Sequence, residues 1–232
     1  MKTAIMQPTF IPWAGYFGLI KYVDKFVFLD DVQFDGRSWQ QRNKIFENGK
    51  STFITIPVIK KNLRFQKISN TKIDTSSNFR KKSIKKILQN YSKSKYFKKY
   101  KNLIEKILLK EFISLSDMNI FIIKELCKTI DIKIKFYKSS ELNVMGKKSE
   151  KLVNICKKLK TTNYISVEGS KIYLEKDLYL FHKNKIQVKY FKYNEIKYNT
   201  FYEKFIPKLS IIDLLFNCGS NTKKIIHNSI KN

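Results

Sequence analysis

Residues 6–43 read MQPTFIPWAGYFGLIKYVDKFVFLDDVQFDGRSWQQRN, and the order of element types inside this run decides the fold class. Lys2–Met6 (KTAIM), overlapping its start, is a short buried strand. Pro8 and Pro12 bar both a continued strand and an immediate helix. Ala14–Tyr22 has apolar residues at helical spacing, and Phe26–Leu29 (FVFL) is a buried strand ending in Asp30 and Asp31. A strand, a Pro-bearing loop, a helix and a second strand form one α/β unit. Open α/β sheets build their sites from polar residues just past the strand ends. Here those residues are Gln7 and Asp30/Asp31. The run also holds both tryptophans (Trp13, Trp39), two of the four arginines (Arg37, Arg42) and three of the seven glycines. Elsewhere the chain has drifted towards Lys, Ile and Asn, as an AT-rich coding sequence would impose. Turn formation explains Gly and Pro but not paired Trp and Arg.

Beyond this run, Asp35–Asn43 reads as a turn and a short polar helix. Lys44–Pro57 is a hairpin around Asn48-Gly49, the strongest short-range hairpin signal. Ile84, Ile87, Leu88 and Tyr91 mark one helix; Tyr100, Leu103, Ile104, Ile107 and Leu108 mark a second. Ser114-x-x-Asp117 caps a third, running to about Ile130. Strands at Lys133–Tyr137, Asn163–Ser166 and Ile186–Tyr193 then alternate with helices around Leu152–Leu159, which Ser149 would cap, and Leu174–His182. A last helix at Ser210–Asn217 stops at Cys218-Gly219. Asp213 and Asn217, four apart on it, would form a buried polar latch. The expectation is an α/β fold with a mostly parallel sheet, one domain over 1–219, a helical insert at about 77–131 and a flexible tail at 220–232.

At 232 residues, 43% hydrophobic and 14% aromatic, the chain is not disordered. No apolar run reaches the roughly 18–20 residues of a membrane span. Gln7 and Pro8 come too early for a signal-peptide core, so a cytoplasmic location is expected. Cys127, Cys156 and Cys218 are odd in number and match no zinc pattern; His182 and His227 are too few for most metal sites. The net charge of +28 invites a nucleic-acid reading. Only four of the 47 basic residues are Arg, however, and the lysines are scattered. Nucleic-acid surfaces favour Arg interleaved with aromatics. A nucleic-acid partner is therefore not expected, and the lysines read as a solvated shell that attracts acidic substrates.

At MQPTFIPWAGYFGLI, FVFLDDVQFDGRSWQQRNKI, TIPV and FIPKLSIIDLLFNCG the chain resembles the WbqC-like protein family, in order from about Met1 to Gly219. The resemblance implies an enzyme of bacterial surface-polysaccharide (O-antigen) biosynthesis. It would be an acyl or aminoacyl transferase that acylates, or glycylates, the amine of a nucleotide-linked amino sugar, so its partners would be that sugar and an acyl donor. Many relatives carry a His-Pro-x-Tyr-x-Gln run where this chain has IKYNTFYEKFIP; Tyr198 holds the Tyr position, and the His and Gln are missing. Relatives also tend to read Leu-Ser-Gly where this chain has Ile165-Ser166-Val167. Thr9-Phe10-x-Pro12 with Gly15-Tyr16 further resembles the first turn of nucleotidylyltransferases, with Tyr16 in place of a His. That implies a nucleotide-binding sheet of Rossmann-like or nucleotidylyltransferase-like type.

The residues offer a limited chemistry. No Cys/His or Ser/His/Asp set is present. Asp30 or Asp31 could take a proton from an attacking amine or hold Mg²⁺ with a substrate phosphate; the other reading is loop capping. Arg42, near Trp39, Gln40 and Asn43, suits bidentate binding of an anion, with Arg37 assisting; the other reading is an ion pair. Trp13, Tyr16 and Trp39 could wall a base or sugar, or pack a core. Ser166, Gly169 and Ser170 make a polar loop able to bind phosphate through backbone N–H groups. The expected substrate contacts are thus Gln7, Trp13, Tyr16, Arg37, Trp39, Gln40, Arg42, Asn43, Ser166, Gly169 and Ser170. The competing class is a non-catalytic nucleotide or polyanion binder, resting on the lysine excess. Acyl donor, acceptor sugar and oligomeric state are not legible in the sequence.

Overall fold

The computed structural model describes residues 1–60, 63 and 65–231. Five strands run parallel: β1 (Lys2–Met6), β2 (Lys25–Phe28), β5 (Lys135–Lys138), β6 (Asn163–Val167) and β7 (Gln187–Tyr193). With the antiparallel edge strand β8 (Ile230–Lys231) they form one sheet in the order β5-β2-β1-β6-β7-β8. A separate hairpin pairs β3 (Arg42–Glu47) with β4 (Lys50–Thr55). It turns at Asn48 and Gly49, both with positive φ (46° and 76°), as a two-residue Asn-Gly turn requires. The mostly parallel α/β sheet with a hairpin is as the sequence implies.

Both faces of the sheet are covered, so its strands are apolar on both sides. Ala4, Phe26, Phe28, Ile165 and Phe191 point into the larger core, and Ile5, Val27 and Tyr164 into the smaller. The larger core is built by α1 (Ala14–Tyr22), α2 (Phe79–Tyr91), α3 (Phe97–Leu109), α4 (Leu115–Thr129), α8 (Ile211–Cys218) and α9 (Thr222–Asn228). The smaller is closed by α5 (Lys148–Lys158), the single-turn α6 (Lys171–Leu174) and α7 (Leu178–Lys183). Ser114 Oγ accepts the Asp117 N–H at 3.3 Å, which is the expected cap of α4. Among the described residues no helix is long and apolar enough to cross a membrane.

Four expectations fail for identifiable reasons. Residues 36–41 are turns rather than a short polar helix, and Arg42 and Asn43 already belong to β3. Gln40 and Gln41 side chains accept the Asp35 and Arg37 N–H groups at 3.1 and 3.2 Å, competing with helical bonding. Ser149 does not cap α5; it lies inside the helix and donates to Asp177 Oδ2 at 2.5 Å. The helix read at Leu174–His182 is broken into α6, a 3-10 turn at Glu175–Asp177, and α7.

The stretch read as a flexible tail folds back instead. Gly219 ends α8 at φ 58° beneath the Tyr96 ring, which would lie 2.5 Å from any Cβ placed there. The chain then forms α9, with Thr222 and Ile226 buried, and β8 on the sheet edge. Ile226→Ala should therefore destabilise the fold by about 2–4 kcal/mol in urea unfolding. A loose tail would give under about 0.5 kcal/mol.

Candidate functional site

Where β1 ends, the chain enters the Gln7–Trp13 loop, and its two prolines would leave it splayed without outside support. Three polar side chains supply that support. Asn43 donates to the carbonyls of Phe10 (2.9 Å) and Ile11 (3.0 Å). Asn119 of α4 donates to those of Pro8 (3.2 Å) and Gln40 (2.7 Å). Gln40 Nε2 donates to Gln7 Oε1 at 2.9 Å. Backbone bonds from Phe10 N–H to the Trp39 carbonyl and from Ile211 N–H to the Pro12 carbonyl (both 2.9 Å) complete the clamp. Ile11 is held at φ 33°, which a β-branched residue adopts only at a cost of about 1–3 kcal/mol.

The clamped loop walls a cavity of about 340 Å³. Met6 and Pro12, with the aromatic Trp13, Tyr16 and Trp39, line it, together with the polar residues Thr9, Asn43 and Lys208. Trp13 packs edge-on to Tyr193, with ring centroids 5.3 Å apart, and its indole lies where a Cβ on Gly15 would fall, 2.3 Å away. Gly15 is therefore glycine to admit the indole. Tyr16 is buried, donates to the Gln7 carbonyl at 3.0 Å, and has its pKa raised by that burial. Thr9 Oγ1 is buried with no hydrogen-bond partner among the described residues. Lys208 sits at φ 57°, its N–H shared by both Glu195 carboxylate oxygens at 3.0 Å. Burial raises the Glu195 pKa, against the lowering effect of that bond and of the Lys208 charge.

The expected site residues thus divide. Trp13, Tyr16, Trp39 and Asn43 meet in this cavity, with Gln7 and Gln40 bonded to each other behind the loop. Arg42 points away from Asn43 on β3, and its guanidinium lies 4.3 Å from the Phe53 ring centroid. The alternative ion pair for Arg42 is absent among the described residues. Arg37 is exposed at φ 61°.

Asp30 and Asp31 lie instead against the loop after β5. Asp30 is 2% exposed and accepts from the Ser140 N–H (3.0 Å), Ser140 Oγ (2.7 Å) and Ser139 Oγ (3.1 Å). Asp31 is paired with Lys151 of α5 and lies 2.5 Å from Ser139 Oγ. These bonds stitch β2 to the loop after β5 and to α5. Ser166 and Ser170 bond each other at 2.6 Å, and Ser170 also closes on the Val167 carbonyl at 2.6 Å. Space beside Gly169 is open.

Asp213 of α8 is a further buried carboxylate, and its hydrogen-bond donors are all neutral. Tyr91, Tyr198 and Tyr202 hydroxyls donate to it at 2.9, 2.8 and 2.9 Å, and Asn217 Nδ2 donates at 3.2 Å. The Asp213–Asn217 latch is present and larger than the sequence suggests. Burial raises the Asp213 pKa, with the four hydrogen bonds opposing.

The family model for the WbqC-like protein family matches residues 7–225. The chain belongs to the WbqC-like protein family. The uncharacterized protein Rv1507c of Mycobacterium tuberculosis (strain ATCC 25618 / H37Rv) is 33% identical over 221 residues, 94% of each chain. No solved structure gives a significant match. The family match spans the clamped loop, the hairpin and α8, so it takes in every residue of the clamp and of the Asp213 cluster.

Sequence reasoning missed Thr9, Asn119, Lys208, Tyr91 and Tyr202. A signal existed for Asn119, which falls on the apolar face of α4 with Leu115, Met118, Ile122 and Leu126. Nothing marks Lys208 among so many lysines.

Two outcomes follow from these environments. Thr9→Val keeps shape while removing an unpartnered buried hydroxyl, so stability should be unchanged or rise by about 1 kcal/mol in thermal unfolding. A clear loss would mean that the hydroxyl has an internal partner. The second concerns Asp213, whose folded-state pKa is raised above its unfolded value. Its folded form retains a proton that the unfolded chain has released, so its contribution is fully present below about pH 4 and lost as pH rises through the folded pKa. Urea unfolding of the native chain and Asp213→Asn across pH should show the native chain's relative advantage shrinking over that window. A difference that grew with pH would mean the pKa is depressed.

Proposed function

We propose that this protein is an enzyme of bacterial surface-polysaccharide (O-antigen) assembly that acylates, or glycylates, the amine of a nucleotide-linked amino sugar bound in the cavity beside β1. The observation that carries the reading is the clamped, strained loop at the carboxyl end of β1, walled by both tryptophans of the chain. Counting only the parallel strands in chain order, the sheet reads 3-2-1-4-5, the order of Rossmann-like dinucleotide-binding sheets. Such sheets bind ligands outside the carboxyl ends of the strands where the order reverses. That place is here between β1 and β6, and the clamped loop leaves from β1.

In this reading Trp13 and Trp39 stack on the base or sugar, Thr9 Oγ1 bonds a polar group of the ligand, and Lys208 meets the diphosphate. Arg42, whose guanidinium lies over Phe53 next to Trp39, extends the anion contact from the rim. The sugar amine attacks the acyl carbonyl, a C–N bond forms, the donor's leaving group departs with the bonding pair, and the nitrogen loses a proton. Asp30 and Asp31, expected for that proton, are engaged elsewhere. Glu195, bonded to the Lys208 N–H and raised in pKa, suits the role better.

Because both tryptophans line the cavity, their fluorescence reports on its occupancy. Titration with UDP- and dTDP-linked amino sugars should change the emission saturably, and mass spectrometry with candidate acyl donors should show an acylated sugar. Arg42→Lys should weaken binding or turnover by roughly one to two orders of magnitude at unchanged melting temperature. Silence of the tryptophans towards every nucleotide sugar, or binding that collapses steeply with salt as counterion release dictates, would overturn the reading in favour of a polyanion binder.

A further inference from the structure

The molecule has a second concavity that the function above does not use, of about 580 Å³, between the α2–α3 turn, residues 197–201 and the end of α8. Lys93, Lys95 and Lys197 converge on it, and no acidic side chain lines it. Among the described residues none of the three has an ion-pair partner. A cavity of equal volume beside α5 differs in this respect. It too holds three lysines, but Asp177 also lines it and Lys151 is neutralised by Asp31.

Glu203 lines the adjoining concavity, which shares Lys197, whereas Asp213 and the α8 carbonyls near the lysine-lined cavity are occupied. Asp213 lies behind Tyr198 and Asn217, whose polar ends turn inward to bond it. The carbonyls at the negative end of α8 are capped: Phe216 by the Tyr96 N–H (2.9 Å), Leu215 by the Gly219 N–H, and Leu214 by Thr222 Oγ1 (3.4 Å). Lys93, Lys95, Lys197, Asn199, Asn221 and Tyr96 are among the residues that line the concavity. Tyr96 packs on Gly219, where a Cβ would lie 2.5 Å from its ring.

We propose that this cavity is an anion site for a small molecule carrying a diphosphate group, separate from the cavity at β1. Three ammoniums and two amides match the charge and the acceptor oxygens of a diphosphate, and the volume suits a small-molecule ligand. The proposal does not rest on the reading of the β1 cavity, because none of its three lysines lines that cavity.

The test is calorimetric titration of the full chain with inorganic pyrophosphate. The native chain should bind saturably. The triple variant Lys93→Gln, Lys95→Gln, Lys197→Gln should bind roughly tenfold more weakly or worse. A control with the same charge loss on the exposed face of α2, Lys81→Gln, Lys82→Gln, Lys85→Gln, should stay within about twofold. Lys197→Glu alone, at an exposed position, should also abolish most binding, so the result does not depend on the triple variant's folding. Absence of binding by the native chain, unchanged affinity in the triple variant, or equal weakening in the control would each overturn the assignment.

Discussion

Asn43 gives both of its amide hydrogens to consecutive carbonyls, those of Phe10 and Ile11, and its Oδ1 accepts the next N–H of its own strand. Through this one buried side chain the hairpin grips the loop that leaves the central strand. A carbonyl buried without a donor costs about 1–3 kcal/mol, so losing this amide would strand two acceptors at once. The same contact holds Ile11 in a backbone region that its branched side chain resists. Asn119 fastens the other half of the loop from α4, so hairpin, helical region and sheet are tied at a single place. Strain of this kind persists only where its surroundings over-determine it, and here they do so beside an aromatic-walled cavity.

The acidic residues follow a consistent pattern. Asp30 and Asp31 are spent joining β2 to the loop after β5, and Asp213 is enclosed by three tyrosines and an asparagine. Other carboxylates pair with lysines at the surface, as Glu47 does with Lys86 and Asp131 with Lys223. Nineteen acids against 47 bases leave many lysines unpaired. The excess charge is thus a field over the whole surface, and it becomes selective only where geometry gathers several ammoniums into one concavity.

Much of the fold was legible because its signals are local. The β1–α1–β2 unit, the Asn48-Gly49 hairpin and the capped α4 are each declared by a turn residue, a cap or a repeat within a few positions. The failures lie where distant partners decide. The turns at 36–41 exist because two glutamine side chains outbid helical bonding. α9 forms because Ile226 finds a core made by residues far away in sequence, while its own seven residues hold only two apolar side chains. The candidate site was legible to the same degree. Unusual residue types point to Trp13, Tyr16, Trp39 and Asn43, which line one cavity. Asp30 and Asp31 were read from their position alone, and a polar residue past a strand end serves a ligand or a neighbouring loop equally well.

A carboxylate placed near the β1 cavity would therefore have to escape that structural use, and Glu195 does so only in part. Its two oxygens share one backbone N–H, which leaves acceptor capacity that Asp30 lacks. Burial has raised its pKa, against the lowering effect of the Lys208 N–H bond and charge. The residue bonded to it, Lys208, lies in the segment between β7 and α8 and lines the cavity. Geometry there places a carboxylate of raised pKa, a lysine and an aromatic wall along one edge of the sheet.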